Sequence, residues 1–372
     1  MFYLEIISFL CDYNIKHNIL LRKGRYFMSK QIEITQKTPL LDKDGNLTAP
    51  GYCKRNIFEY NKENITASLW RLKEWDFYQV ADGEHMIQLN FFNISYASCI
   101  TANYVNLKTG EKYADMTIEP LTKGKNPMSV NGDRPYYFNY KKSGREVIFD
   151  VKDYSRRLYF KGKCKGQEFI IDVTAERNPD HESITIATPF DKKGHFFYTN
   201  KLNCMPTKGS ITVNGKEIHF DDNNTFMVLD WGRGVWPHDN HWYWGNGSTY
   251  VNGKLFGFEI TWGFGDESNA TETALFYDGK CHKIGEVNIE TDPEVGDGWM
   301  NPWHFTSEDG RFDLTMVPYY DNYSYTKIIE GKLGMKTHQV HGLWSGKVVL
   351  DDGEVLEIKD MYAFCEKVHN LW

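Results

Sequence analysis

Asn-Gly and Asp-Gly pairs punctuate the whole chain. Asn-Gly starts at residues 131, 214, 246 and 252, and Asp-Gly at 44, 82, 278, 297, 309 and 352. Such pairs are the strongest short-range hairpin signal, because both central residues of a type I′ turn need positive φ. The runs between them, among them "REVIFDVKDYSRRLYFKGK", "QEFIIDVTAE", "GSITVNGKEIHF" and "GKLFGFEITWGF", are rich in Val, Ile, Phe and Tyr. These residues suit a pleated, half-buried surface. No segment after residue 30 carries a helical stripe over three turns. The expected fold is therefore all-β and antiparallel, as sandwiches or barrels.

A chain of 372 residues is long enough for two such units. The polar stretch "ERNPDHES" (Glu176 to Ser183) separates two strand-rich halves of similar size. It places the expected domain boundary near 175–185, giving domains at 29–180 and 181–372. Residues 1–28 read as a leader, with Met28 as the natural start. "RKGRYFM" (Arg22 to Met28) is what a purine-rich ribosome-binding site ahead of a start codon would encode. The leader lacks the basic n-region and small-residue cleavage site of a signal peptide.

The net charge of -7 argues against a nucleic-acid partner, which calls for a basic face. No apolar run is long enough for a membrane span. Seven cysteines at 11, 53, 99, 164, 204, 281 and 365 form no CxxC pair or metal knuckle, so reduced thiols in a cytoplasmic protein are expected. No phosphate-binding loop, dinucleotide fingerprint, HExxH or nucleophile elbow occurs. No cofactor is implied. His238, Asp239 and His241 have the chemistry of metal ligands, but neighbours on one strand point to opposite faces, so no metal site is expected.

The most unusual stretch is "LDWGRGVWPHDNHWYWGNGS" (Leu229 to Ser248), with four tryptophans, two histidines, two aspartates and an arginine. A hairpin, Gly209-Ser-Ile-Thr-Val-Asn-Gly215, precedes it. A strand then ends at Asp230-Trp231, and Gly232 and Gly234 suggest a bend. This arrangement resembles the superfamily of carotenoid 1,2-hydratase (hydroxyneurosporene synthase), AttH-like proteins and lipocalin-like pericyclases. It looks closest to an uncharacterised bacterial branch. The resemblance implies two packed lipocalin-like barrels, with a ligand cavity in or between them. It also implies that Asp230 matches the acid that protonates an alkene. The family segment reads roughly Asp-His/Arg-x-Trp-Gly, whereas here Asp230 is followed by Trp-Gly-Arg-Gly.

Strand parity sorts the neighbouring residues. If Asn252-Gly253 is a two-residue turn, Val251 faces Lys254. One face of the hairpin then carries Tyr243, Phe256, Phe258, Ile260 and Trp262. The other carries Trp242, Trp244, Asn246, Ser248, Tyr250, Glu259 and Thr261. The first face reads as core and the second, mixing aromatic and polar groups, as a ligand pocket. The candidate catalytic residues are Asp230, Glu259 and His241. The candidate ligand-binding residues are Arg233, Trp231, Trp236, His238, Trp242, Trp244, Tyr250 and Trp262. The bland alternatives are ordinary barrel core for the tryptophans, structural histidines, and an Arg233 stacked on tryptophan.

Three functions fit this inventory. The first is a cofactor-independent hydratase, isomerase or cyclase acting by acid catalysis on an apolar or terpenoid-like small molecule. The second is a carbohydrate-active protein that uses Asp230 and Glu259 as a carboxylate pair. The third is a non-catalytic carrier of a hydrophobic ligand. Each implies a small-molecule partner, and none fixes an oligomeric state.

Overall fold

The computed structural model describes residues 31–372 apart from 124, 126, 296 and 297. The expected leader lies outside the described residues. Among the described residues there is no α-helix, and the only helical pieces are 3-10 turns such as Lys62–Asn64 and Leu69–Arg71. The chain folds into two large curled antiparallel sheets, consistent with two lipocalin-like barrels, and a small two-stranded pairing near residue 40.

The first sheet runs in the order Lys112–Pro120, Ala97–Asn106, His85–Asn93, Leu72–Ala81, Phe226–Val235, Phe196–Val213, Gln167–Glu176, Ser155–Cys164, Arg145–Val151, Tyr136–Lys142. It wraps a core containing Tyr78, Leu89, Phe149, Phe160, Leu229 and Trp231. The two end strands, Lys112–Pro120 and Tyr136–Lys142, share no backbone ladder. Side chains span the seam instead. Arg145 grips Asp115 in a bidentate pair at 2.6 and 2.8 Å, and Glu119 takes Tyr140 and Lys142 at 2.8 Å each.

Gly51–Cys53, Ile184–Pro189 and Lys216–Phe220 also pair into the first sheet, and the second sheet is built from the strands after Val235, with Asp239–Val251 between Lys254–Trp262 and Val355–Leu371. Its core holds Phe258, Ile260, Phe305, Phe312 and Trp344. The chain passes from one sheet to the other between Val235 and Asp239. The expected break near 175–185 falls inside the first sheet, where Gln167–Glu176 pairs directly with Phe196–Val213 from Phe169↔Val213 to Ala175↔Thr207. A polar, proline-containing stretch marks a surface loop whether or not a domain ends there.

Each barrel keeps one face of its strands inward, so the alternate residues point out. Along Phe226–Val235, Met227, Leu229 and Trp231 enter the first core, while Val228 packs with Trp244 and Phe364 of the second sheet. The two outward faces are pressed together. Phe77 meets Trp244 edge-on at 5.6 Å, and Phe197, Trp236, Phe264 and Phe276 share a cluster.

Two local expectations are corrected by this packing. Gly232 and Gly234 make no bend, because Phe226–Val235 is one continuous strand and neither glycine has positive φ. They are there for close approach. A Cβ on Gly232 would lie 2.4 Å from the Trp75 ring, and one on Gly234 would lie 2.3 Å from the Phe196 carbonyl. Asn246-Gly247 likewise sits inside the Asp239–Val251 strand rather than at a turn. Gly232→Ala is expected to lower stability by about 1–3 kcal/mol, since the ring must move in a packed interface. The loss should be smaller in a background where Trp75 is also leucine, and a urea-melt double-mutant cycle measures that difference.

Candidate functional site

The outward faces of both barrels bring ionisable side chains to their shared interface. Lys201 and Asp230 are directly opposed on neighbouring strands of the first sheet. Lys201 Nζ lies 2.7 Å from Asp230 Oδ1. It also reaches across to Glu272 Oε2, 3.4 Å away, in the segment that follows Lys254–Trp262 of the second sheet. The same ammonium sits over the Trp244 ring, 4.6 Å from its centroid. Thr261 Oγ1 donates to Glu272 Oε2 at 2.7 Å, leaving Oε1 buried without a partner.

The expected hairpin register is observed residue for residue. Val251 pairs with Lys254, Trp244 with Thr261 and Asn246 with Glu259. Phe256, Phe258 and Ile260 therefore enter the second core, while Trp244, Asn246 and Glu259 face the interface. Trp244 Nε1 donates to Glu259 Oε2 at 2.6 Å, and Asn246 Nδ2 donates to Oε1 at 3.0 Å. Glu366 completes the group. It accepts from Trp242 Nε1 at 3.0 Å and from Gln339 Nε2 at 3.1 Å. Gln339 in turn accepts from Gln88 of the first sheet, and Gln88 donates to Gln79.

One cation and four carboxyl groups are thus buried together, Glu259 at 0% exposure and Lys201 at 3%. Four carboxylates cannot all stay ionised against one ammonium in a dry interface. Burial pushes Glu259 up to about 8, reinforced by the charges of Glu272 and Asp230 and opposed by Lys201. Burial also pushes Glu366 up to about 7, against the Trp242 and Gln339 hydrogen bonds. Glu272 is raised by burial, with Lys201 opposing. Burial works against the Lys201 ammonium, but Asp230, Glu272 and Glu259 more than offset it and hold its value above the ordinary one. A small pocket between the sheets, lined by Gln79, Val228, Asn246, Ser248, Tyr362 and Phe364, adjoins this group through Asn246.

Asp230, Glu259, Trp242 and Trp244 therefore converge as a set, with Trp236 in the adjoining apolar cluster. The other candidates do not. Trp231 and Arg233 point the opposite way from Asp230, into the first barrel. There Trp231 Nε1 donates to Ser129 Oγ at 2.8 Å. The Arg233 guanidinium stacks on Trp231 at 4.1 Å and pairs with Asp76 at 2.8 Å. Arg233 therefore does not meet Asp230, because odd and even residues of one strand cannot share a face. His241 and His238 are exposed, and His238 Nε2 meets the Lys332 carbonyl at 2.6 Å. Tyr250 is exposed at the hairpin end, and Trp262 stacks on Tyr243 at 4.6 Å on the core side. Lys201, Glu272 and Glu366 were missed. For Lys201 and Glu366 the signal was a charge inside an otherwise buried strand, in "FFYTNKLN" and "YAFCEK".

Among the described residues, no three His, Cys, Asp or Glu side chains form a set able to hold a metal ion. The six described cysteines are free thiols, and among the described residues no helix is long and apolar enough to cross a membrane.

The fold and site define a class: a double β-barrel protein with an ionisable, aromatic-walled site between its barrels. The chain belongs to the family described as domain of unknown function DUF2804, whose model matches residues 31–372. No curated protein matches the sequence. Among solved structures, the fold is similar to kievitone hydratase from Nectria haematococca, at 13% identity over 90% of this chain and 99% of that one, with a TM-score of 0.47. It is also similar to an AttH-like protein from Nitrosomonas europaea, at 10% identity over 83% and 95% of the two chains, with a TM-score of 0.47.

Two stability measurements follow from the buried charges. Lys201→Met strands Asp230 and Glu272 without a counter-ion, and should cost about 3–5 kcal/mol at pH 8. The cost should shrink at pH 5, where the carboxyl groups can take up protons. For Glu259 the folded value of about 8 lies above the unfolded one. Folded protein then binds the extra proton between about pH 4.5 and 8, so this group's contribution is full at low pH and is lost as pH rises through 8. Urea melts of Glu259→Gln should therefore show a flatter stability profile than the parent between pH 5 and 8.

Proposed function

We propose that this protein is an enzyme that transfers a proton to an unsaturated, largely apolar small molecule at the interface between the barrels, in the hydratase or isomerase class. The observation that carries the reading is Glu259, a fully buried carboxyl group at the interface, oriented by Trp244 and Asn246 and pushed up to about 8. A carboxyl group that stays protonated at neutral pH is what a general acid requires.

In this reading Glu259 gives its proton to a carbon–carbon double bond, leaving a carbocation. The faces of Phe77 and Trp242, both half-buried beside Trp244, steady the positive charge. Asp230 is the proton acceptor, taking a proton either from an adding water or from the carbon next to the cation. Lys201, itself held by Glu272, holds Asp230 in place, and the closed interface keeps out bulk water. A sugar site is less well supported. The Trp244 indole spends its N–H on Glu259, lies under Lys201 and has Phe77 and Phe364 against it, so it leaves no bare face for stacking.

The test is incubation of a metabolite extract with the protein in deuterium oxide, read by untargeted mass spectrometry. At least one unsaturated compound should gain a carbon-bound deuterium, alone or together with the mass of water. Glu259→Gln should slow that conversion by about 10²–10⁴-fold while remaining folded. The parent rate should fall as pH rises through about 8. Conversion at the parental rate by folded Glu259→Gln would remove Glu259 from the chemistry, and no deuterium incorporation by the parent would remove the enzyme reading.

A further inference from the structure

The face of the second sheet that meets the first barrel carries a further polar group, away from Glu259. Asn240 and Asn370 are directly opposed on Asp239–Val251 and Val355–Leu371. They lie on the face that carries Trp242, Trp244 and Glu366, because all five positions are even-numbered along those strands. Asn370 is 0% exposed and Asn240 6%. The next two rows on this face are Trp242–Val368–Thr337 and Trp244–Glu366–Gln339. Asn370 is thus four residues along its strand from Glu366, roughly 13 Å.

The protein itself leaves these side chains unsatisfied. Neither Nδ2 nor Oδ1 of Asn370 has a hydrogen-bond partner, and among the described residues it is the only side chain with two such buried atoms. Exchanging the two ends of its amide changes nothing. Asn240 Nδ2 donates to the Pro237 carbonyl at 3.0 Å, which leaves its Oδ1 buried and free. Thr337 Oγ1 in the next row and Trp372 Nε1, two residues past Asn370, are also buried without partners. Buried polar groups are normally hydrogen-bonded. An apolar side chain of similar size would fill the position of Asn370 without that cost. Trp242 and Trp372, on either side of the pair, are only half-buried.

The free atoms define what fits them. Two amide oxygens require a hydrogen, which a carboxylate or phosphate anion does not offer. The Asn370 amide N–H and the Trp372 indole N–H require a lone pair, which an ammonium does not offer. A hydroxyl group supplies both.

We infer that the Asn240–Asn370 pair binds a hydroxyl group of the ligand, so that the substrate is an unsaturated alcohol whose hydroxyl lies roughly 13 Å from the carboxyl groups of the site. Phe77, Trp242 and Trp244 line the apolar stretch between the two ends. The alkene end rests on the proton-transfer reading above, and the hydroxyl site does not.

The probe is 1-dodecanol, with dodecane as its control, titrated by calorimetry without turnover. The parent should bind the alcohol at least about tenfold more tightly than the alkane. Asn370→Leu should remove that preference. Without ligand this variant should melt about 2 °C above the parent, because an unsatisfied amide has given way to an apolar group. Should it not fold, the isosteric Thr337→Val serves, with dodecanol bound about threefold more weakly and dodecane unchanged. Equal binding of alcohol and alkane by the parent overturns the inference. A folded Asn370→Leu protein that melts below the parent also overturns it, since the amide then serves the framework. Deuterium incorporation without a preference for dodecanol removes the hydroxyl site and keeps the proton transfer. The preference without deuterium incorporation keeps the hydroxyl site and removes the enzyme reading.

Discussion

The contact on which the arrangement depends is a single buried ammonium group. Lys201 leaves the first sheet, pairs with Asp230 beside it and meets Glu272 in the segment that follows Lys254–Trp262 of the second sheet. Two convex apolar faces could slide or turn on one another at little cost, because hydrophobic burial is non-directional. A charge that must be matched in a dry interface allows one registration only. The cost of burying it is offset by two carboxylates from different barrels and by the Trp244 face, so the pairing supplies orientation more than net stability.

From that contact the remaining carboxyl groups take their character. Glu259 and Glu366 are too many for one cation, and their surplus is met by protonation and by indole and amide hydrogens. The amide chain Gln79–Gln88–Gln339–Glu366 does the same at the other side of the interface. It joins the sheets without adding charge. The glycines of the Phe226–Val235 strand belong to this design as well, since Gly232 gives the Trp75 ring the space it needs beside Trp236.

How much of this was legible in the sequence depended on the range of the determining contacts. The Val251–Lys254 register and both faces of its hairpin were readable, because a two-residue turn fixes parity over the whole ladder. Glu259 and Trp244 were found as partners on that ground. The reading failed where one residue type serves two purposes. Gly232 and Gly234 were read as a bend, although the same absence of a Cβ permits close packing in a straight strand. Taking that segment for a bend also hid its parity, which puts Arg233 behind Asp230 rather than beside it. Lys201 lies 29 residues from Asp230 and meets it through the pairing of two strands of the first sheet, whereas Glu272 and Glu366 lie 42 and 136 residues away and join it only through the docking of the barrels. The first barrel recruits its central strand, Phe226–Val235, from beyond the polar loop that looked like a linker.

The seam of the first barrel has a consequence of a different kind. Lys112–Pro120 and Tyr136–Lys142 are held to each other by Arg145, Asp115, Glu119, Tyr140 and Lys142 rather than by a peptide ladder. The wall can thus part along one line with every backbone hydrogen bond of the sheet intact. Lys142 is well exposed, so at least part of that fastening weakens with ionic strength. The barrel is a sleeve with a buttoned edge, whose exposed Lys142–Glu119 fastening yields to dissolved salt more readily than the more buried Arg145–Asp115 pair.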